Sequence, residues 1–294
     1  MRDVFIQELV TLARQHSHIA LIVGDLGYSV VEPFAEEFPD RFINAGVAEQ
    51  NMTGLAAGMA SEGYHVFTYS IANFPTFRCA EQIRNDVAYH GLPVTVVAVG
   101  GGLAYGALGY SHHAIQDYAL MRTMPNLLIA SPGDPMEVRA CMSYLVKNHG
   151  PSYLRLGKSG EASFHSAPPT VEPGHWVQVH QNNSRLALLT TGTTLQMAMA
   201  WIENLKYKDY SVFSMPLWSM SNKLAQHKML REYETVVTLE DHLQDGGFGS
   251  WMLEACAQDK SITSKVIPIA LDYRVCGAVG SQTTLNRLGG LECQ

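Results

Sequence analysis

Charge is scarce in this 294-residue chain: Asp, Glu, Lys and Arg make up 16% of it, against roughly a quarter in an ordinary soluble protein. With 47% of the residues hydrophobic, much of the surface is expected to be covered by partners. The few charges sum to −7, so the basic footprint of a nucleic-acid binder is missing. Cysteine is thin as well. Cys79, Cys141, Cys256, Cys276 and Cys293 are odd in number and contain no C-x-x-C pair, which fits a reduced, cytoplasmic setting. No apolar run reaches the ~20 residues that span a bilayer. The opening "MRDVFIQELVTLARQ" carries charges through an amphipathic pattern, unlike a signal peptide, and no membrane partner is expected. Several signatures are also absent. No G-x-G-x-x-G opens a helix, no G-K-[ST] follows a glycine loop, and no G-x-S-x-G marks a nucleophile. Zinc-ligand spacing and the calcium-loop pattern are missing too, so no metal is expected on this chain.

What is present alternates helix and strand signals. Phe5, Ile6, Leu9, Val10 and Leu12 recur at helical spacing ahead of the short apolar run "IALIV" at 19–23. "VTVVAV" at 94–99 has the β-branched content of a central parallel strand. "SPGDP" predicts a helix capped by Asp134 with Pro135 in its first turn. Residues 159–180, which begin rich in Pro, Ser and Gly, read as a linker. The alternation then resumes with "RLALLTTG", "YSVFSM", "ETVVTLED" and "SKVIPIAL". The expected fold class is α/β: two doubly wound domains with mainly parallel sheets, over 1–158 and 181–294.

Two segments draw the chemistry. "RFINAGVAEQNMTGLAAGMA" (41–60) places one carboxylate, Glu49, among small and apolar residues where a helix begins. An acid at that position gains from the helix dipole and needs no further role; shielded from water, it also suits proton sharing. "VGGGLAYGALGYSHHAIQD" (99–117) leaves the end of a central strand, where open α/β sheets bind ligands. Its glycines read either as a weak phosphate cradle or as a flexible loop at a subunit contact. His112 and His113 close it, and adjacent side chains point apart, so at most one faces a given pocket.

A resemblance carries the reading further. "GVAEQNMTGLAAGMASEG" (46–63) resembles the glutamate-bearing segment of the transketolase family. "AEQIRNDVAYHGLPV", "LGYSHHAIQDYALMRTMPNLLIASPGDPMEV" and "GPSYLRLGK" follow in family order, and "VVTLEDHLQDGGFGSWMLEA" resembles the signature of the family's C-terminal domain. The resemblance covers nearly the whole chain. It implies a thiamine diphosphate pyrimidine-binding domain followed by a transketolase C-terminal-like domain. The family's pyrophosphate-binding domain has no counterpart, since "GDLGYS" at 24–29 departs from its G-D-G. The resemblance therefore implies the C-terminal half of a split transketolase. An N-terminal subunit would hold the diphosphate and its Mg²⁺ (or Ca²⁺) in an α2β2 heterotetramer. The implied reaction transfers a ketol unit between a ketose, or its phosphate, and an aldose.

Site residues carry over one by one as implications of the resemblance. Glu49 matches the glutamate that hydrogen-bonds N1′ of the cofactor's aminopyrimidine. Asp25 and Leu26 fall in a cofactor-contacting segment, Phe74 matches the aromatic that stacks on the pyrimidine, and Phe77 matches a tyrosine beside it. Ile71 stands in for a third aromatic. His112 matches a histidine that touches substrate oxygens, where an imidazole trades protons near neutral pH. Arg2, Ser29 and Lys158 fall at sugar-phosphate positions, Lys158 replacing an arginine and its bidentate fork. Gly100 and Leu108 replace a histidine and an aspartate, which points to specialised sugars. Two alternatives stand beside this reading. One is a 1-deoxyxylulose-5-phosphate-synthase-like or 2-oxo acid dehydrogenase E1 beta-type subunit, against which the "SHH" loop argues. The other is a non-catalytic assembly subunit, against which Glu49, Phe74 and His112 argue together.

Overall fold

The computed structural model describes residues 1–293. Among the described residues twelve strands follow in order: β1 (Ile19–Val23), β2 (Phe42–Asn44), β3 (His65–Ile71), β4 (Val94–Val99), β5 (Leu128–Ala130), β6 (Ser152–Leu156), β7 (Val177–His180), β8 (Leu186–Thr190), β9 (Ser211–Ser214), β10 (Leu217–Trp218), β11 (Thr235–Leu243) and β12 (Lys265–Leu271). They form a seven-stranded sheet in the order β10-β5-β6-β4-β3-β1-β2 and a five-stranded sheet in the order β12-β11-β8-β9-β7. Every pairing is parallel except β10 with β5 and β7 with β9, one edge of each sheet. β1, β4 and β6 are buried at every position, as continuous apolar strands covered by helices on both faces should be. Asp134 caps the helix Pro135–Lys147, its Oδ1 accepting from the Glu137 amide at 2.8 Å.

Two features depart from the expected organisation. Val177–His180, inside the stretch expected as linker, is strand β7, because Val177, Gln178 and His180 pair with β9 at the sheet edge. β10 belongs to the second half of the chain yet completes the first sheet through two residues paired with β5. Trp218 in that short strand packs on Tyr118 and Trp251 at ring separations of 5.3 and 5.5 Å, so one apolar core runs through both halves.

The glycine run after β4 is tightly packed rather than a loose loop. Gly100, at φ +84°, has the Tyr105 ring where its Cβ would stand, 2.0 Å away. Gly102, at φ +63°, lies so close to the Asp241 carboxylate that a Cβ would meet Oδ2 at 2.3 Å. Only glycine supplies this backbone and this approach. Among the described residues no helix is long and apolar enough to cross a membrane.

Candidate active site

The loops that leave the carboxyl ends of β1, β2, β3, β4 and β6 gather on one edge of the first sheet. The chain order reverses around β1, and ligand crevices of open α/β sheets form outside such a reversal. These loops carry Asp25, Leu26 and Ser29, then Glu49, then Phe74 and Phe77, then His112, and finally Lys158. Arg2 joins them through its amide, which donates to the Lys158 carbonyl at 3.2 Å.

Glu49 opens the helix Glu49–Ser61, where the free amides of the first turn favour a carboxylate. It is only 3% exposed. Arg78 Nη1 donates to its Oε2 at 2.9 Å, while Oε1 is buried with no hydrogen-bond partner. Gly24, at the end of β1, closes in from the other side; a Cβ there would stand 3.6 Å from Glu49 Cγ. The Arg78 guanidinium lies 4.3 Å above the Phe74 ring, and the His112 ring meets the same phenyl edge-on at 5.2 Å. Two clefts meet at Arg78. One, of about 420 Å³, is lined by Val47, Ala48, Glu49, Gln50 and Asn51. The other, of about 460 Å³, is lined by Asn73, Phe74, Phe77, Tyr110 and Ser111. A buried acceptor lacking a donor, beside an aromatic face, suits a planar nitrogen heterocycle.

His112 Nδ1 bonds the Ser111 hydroxyl at 3.0 Å. Burial first, then the charges of His113 and Arg78, hold its pKa below the ordinary 6.5, so the imidazole is neutral at pH 7. His113 turns away into the interior, with Nε2 3.2 Å from the Gly106 carbonyl. Lys158 forms a second group with Arg2: its ammonium sits 4.3 Å above the Tyr105 ring, and that ring lies 6.4 Å from His112. Asp25, at φ +55°, spends its carboxylate on Asn44 Nδ2 at 3.0 Å and the Tyr28 hydroxyl at 3.1 Å, locking the β1 loop onto the β2 loop. Leu26 lines a small cleft of about 200 Å³ with Tyr28 and Phe42 rather than the Glu49 cleft. Ser29, at φ +63°, donates its amide to Glu32 Oε1 at 2.7 Å and is exposed.

Glu49, Phe74, Phe77 and His112 thus share one surface, Arg2 and Lys158 lie beside it, and the β1 loop flanks it. The residues that sequence reasoning missed are Arg78 and Tyr105. Arg78 directly follows Phe77, and its signal was a lone cation close to an aromatic pair. Tyr105 follows three glycines, and only the fold shows that its ring occupies the space of the absent side chain at 100. Among the described residues no group of three His, Cys, Asp or Glu side chains is placed to hold a metal ion.

Residues 1–160 match the model described as "Transketolase, pyrimidine binding domain", and residues 174–287 match "Transketolase, C-terminal domain". A "Putative transketolase C-terminal section" of Methanocaldococcus jannaschii is 31% identical over 295 residues, covering 99% of this chain and 92% of the relative. One of the subunits of an apulose-4-phosphate transketolase from Actinobacillus succinogenes is 28% identical over 261 residues, covering 88% of this chain and 84% of the relative. A solved structure titled "Split gene transketolase, inactive beta4 tetramer" superposes with a TM-score of 0.85 at 30% identity, covering 99% of this chain and 93% of that one.

Proposed function

This chain belongs to the transketolase family, and from that premise we propose that it is the C-terminal subunit of a split, thiamine diphosphate-dependent transketolase, active only beside an N-terminal partner subunit. The observation that carries the reading is Glu49: a buried carboxylate at a helix start, one oxygen without a donor, in the wall of a cleft that meets the Phe74 cleft at Arg78. Glu49 Oε1 would hydrogen-bond the pyrimidine ring nitrogen and hold a proton there, while Phe74 and Phe77 pack the ring. The neutral His112 would exchange a proton with a sugar hydroxyl. Lys158 and Arg2, with Ser29 at the loop edge, would receive a sugar phosphate, Lys158 as a point charge. Asp25 and Leu26 would shape the cofactor side of the β1 loop. When bound, thiamine diphosphate supplies the electron sink for cleaving the ketose C–C bond. The diphosphate and its Mg²⁺ or Ca²⁺ belong, in this reading, to the partner subunit.

A partner is supported by what the surface exposes. Val47, Phe77, Leu108 and Tyr110 are large apolar side chains left open around the clefts, as at an interface whose other half is missing. The names of the relatives, one a C-terminal section and the other a single subunit of its enzyme, agree with a divided enzyme. The similar solved tetramer of one chain type is titled inactive. The expected assembly is an α2β2 heterotetramer in the cytoplasm, acting on a ketose and an aldose. Purification of this chain from its own cells, with its companions identified by mass spectrometry, tests the proposal. A stoichiometric partner carrying G-D-G…N, with thiamine diphosphate bound, is the expected result. A chain that emerges alone and without the cofactor would put the assembly-subunit reading in its place.

A further inference from the structure

We propose that Arg78 is a positioning residue for Glu49: its guanidinium holds one carboxylate oxygen so that the other faces the cofactor's pyrimidine. This rests on the reading of the site given above. The geometry divides the carboxylate in two. Oε2 takes the Arg78 Nη1 hydrogen bond at 2.9 Å, and Oε1 is buried with nothing donating to it. A glutamate's terminal torsion is broad and roughly two-fold, so an unpaired carboxylate presents either oxygen in many orientations. The ion pair removes that freedom.

Arg78 is itself held. Its planar guanidinium stacks 4.3 Å from the Phe74 ring, a contact that lysine's round ammonium cannot reproduce. The cation is half-exposed while its partner is buried, so it reaches in from the wall between the two clefts without filling either. Pairing alone would give a stabilised helix start. What the pairing leaves is specific: one buried acceptor oxygen that costs free energy until a donor arrives. The pyrimidine ring nitrogen, once it carries a proton, is such a donor. Arg78 therefore fixes the direction from which the pyrimidine nitrogen is received.

The test compares two ligands. Thiamine diphosphate, and an analogue with C–H in place of the ring nitrogen N1′, are titrated by calorimetry into the complex of this chain with its partner subunit. The proteins are wild type, Arg78→Ala, Arg78→Lys and Glu49→Gln, each checked for intact assembly by gel filtration. Arg78→Ala is expected to weaken thiamine diphosphate about tenfold, the scale of one charge-assisted hydrogen bond. It should change binding of the analogue by less than about twofold, since that ligand already lacks the contact. Arg78→Lys, which keeps the charge and loses the plane, should fall between. Equal weakening of both ligands, or of neither, overturns the positioning role and leaves the Glu49 reading standing. If the wild type and Glu49→Gln alike fail to distinguish the two ligands, the Glu49 reading falls, and the inference with it.

Discussion

Arg155 on β6 and Asp241 on β11 stand 2.6 Å apart, Nη1 to Oδ1, across the junction of the two sheets. The same guanidinium donates from Nε to Asp117 Oδ2 at 2.7 Å and from Nη2 to the Ala114 carbonyl at 2.8 Å, all of it buried. The network ties the active-site loop after β4 to the second half of the chain. Removing the cation leaves two carboxylates uncompensated in the interior, a change that costs about 3–5 kcal/mol. Arg155→Met is therefore expected to lower the thermal midpoint sharply, and adding Asp117→Asn to recover part of the loss. Thermal melts of the three proteins check this.

His112 sits where a proton-exchanging imidazole is needed, and its pKa lies below the ordinary 6.5, chiefly through burial. It is neutral at pH 7 and gains its charge only as the pH falls beneath 6.5. The wild-type kcat/KM should then hold through neutrality and decline on an acid limb below pH 6.5. His112→Gln should lower kcat/KM by about 10²–10⁴-fold and abolish that limb. A pH–rate profile of the assembled enzyme settles both points.

Asp134 clamps the start of the segment between the two halves. Its Oδ2 accepts from the Phe164 and His165 amides at 2.8 and 2.9 Å and pairs with the His165 ring at 3.0 Å. Burial alone would raise its pKa, but the His165 ring and the Glu137, His165 and Phe164 amides bring it down to about 2. Its contribution is therefore present above pH 3.8 and fades as the pH falls towards 2. The Asp134 hydrogen bond raises the His165 pKa above 6.5, so the charged pair's contribution is full below pH 6.5 and is lost as the pH rises through the raised value. The stability difference between wild type and Asp134→Ala should peak between about pH 4 and 6.5, shrinking on both sides. Loss of the cap itself accounts for about 1 kcal/mol at any pH above that range. Urea unfolding at pH 3, 5.5 and 8 measures it.

Gly100 is the position where sequence reasoning saw a missing histidine and structure shows a filled space. An alanine there meets the Tyr105 ring at 2.0 Å in a left-handed backbone, which alone costs about 1–2 kcal/mol. Gly100→Ala should destabilise the chain by more than that, and pairing it with Tyr105→Ala should recover the part owed to the clash. Thermal midpoints of the single and double variants decide.

The parallel strands were legible because burial on both faces writes unbroken apolar runs such as "IALIV" and "VTVVAV". The Asp134 cap was legible because capping is local, three residues from donor to acceptor. β10 was not: two residues set no period, and the pairing with β5 spans nearly ninety positions of chain. Glu49, Phe74 and His112 could be named as candidates from ordered motifs. Their contact through Arg78 and the Phe74 ring depends on loops that only the sheet brings together. The glycine run misled because composition shows flexibility, whereas tight approach to Asp241 and Tyr105 appears only in three dimensions.

The measurement that bears most directly on the account is turnover by the assembled two-subunit enzyme carrying Glu49→Gln, with assembly followed by gel filtration. The amide keeps the shape of the side chain and cannot hold a proton for the ring nitrogen. The account predicts intact assembly with turnover reduced by about 10²–10⁴-fold. Turnover at the wild-type rate would contradict it.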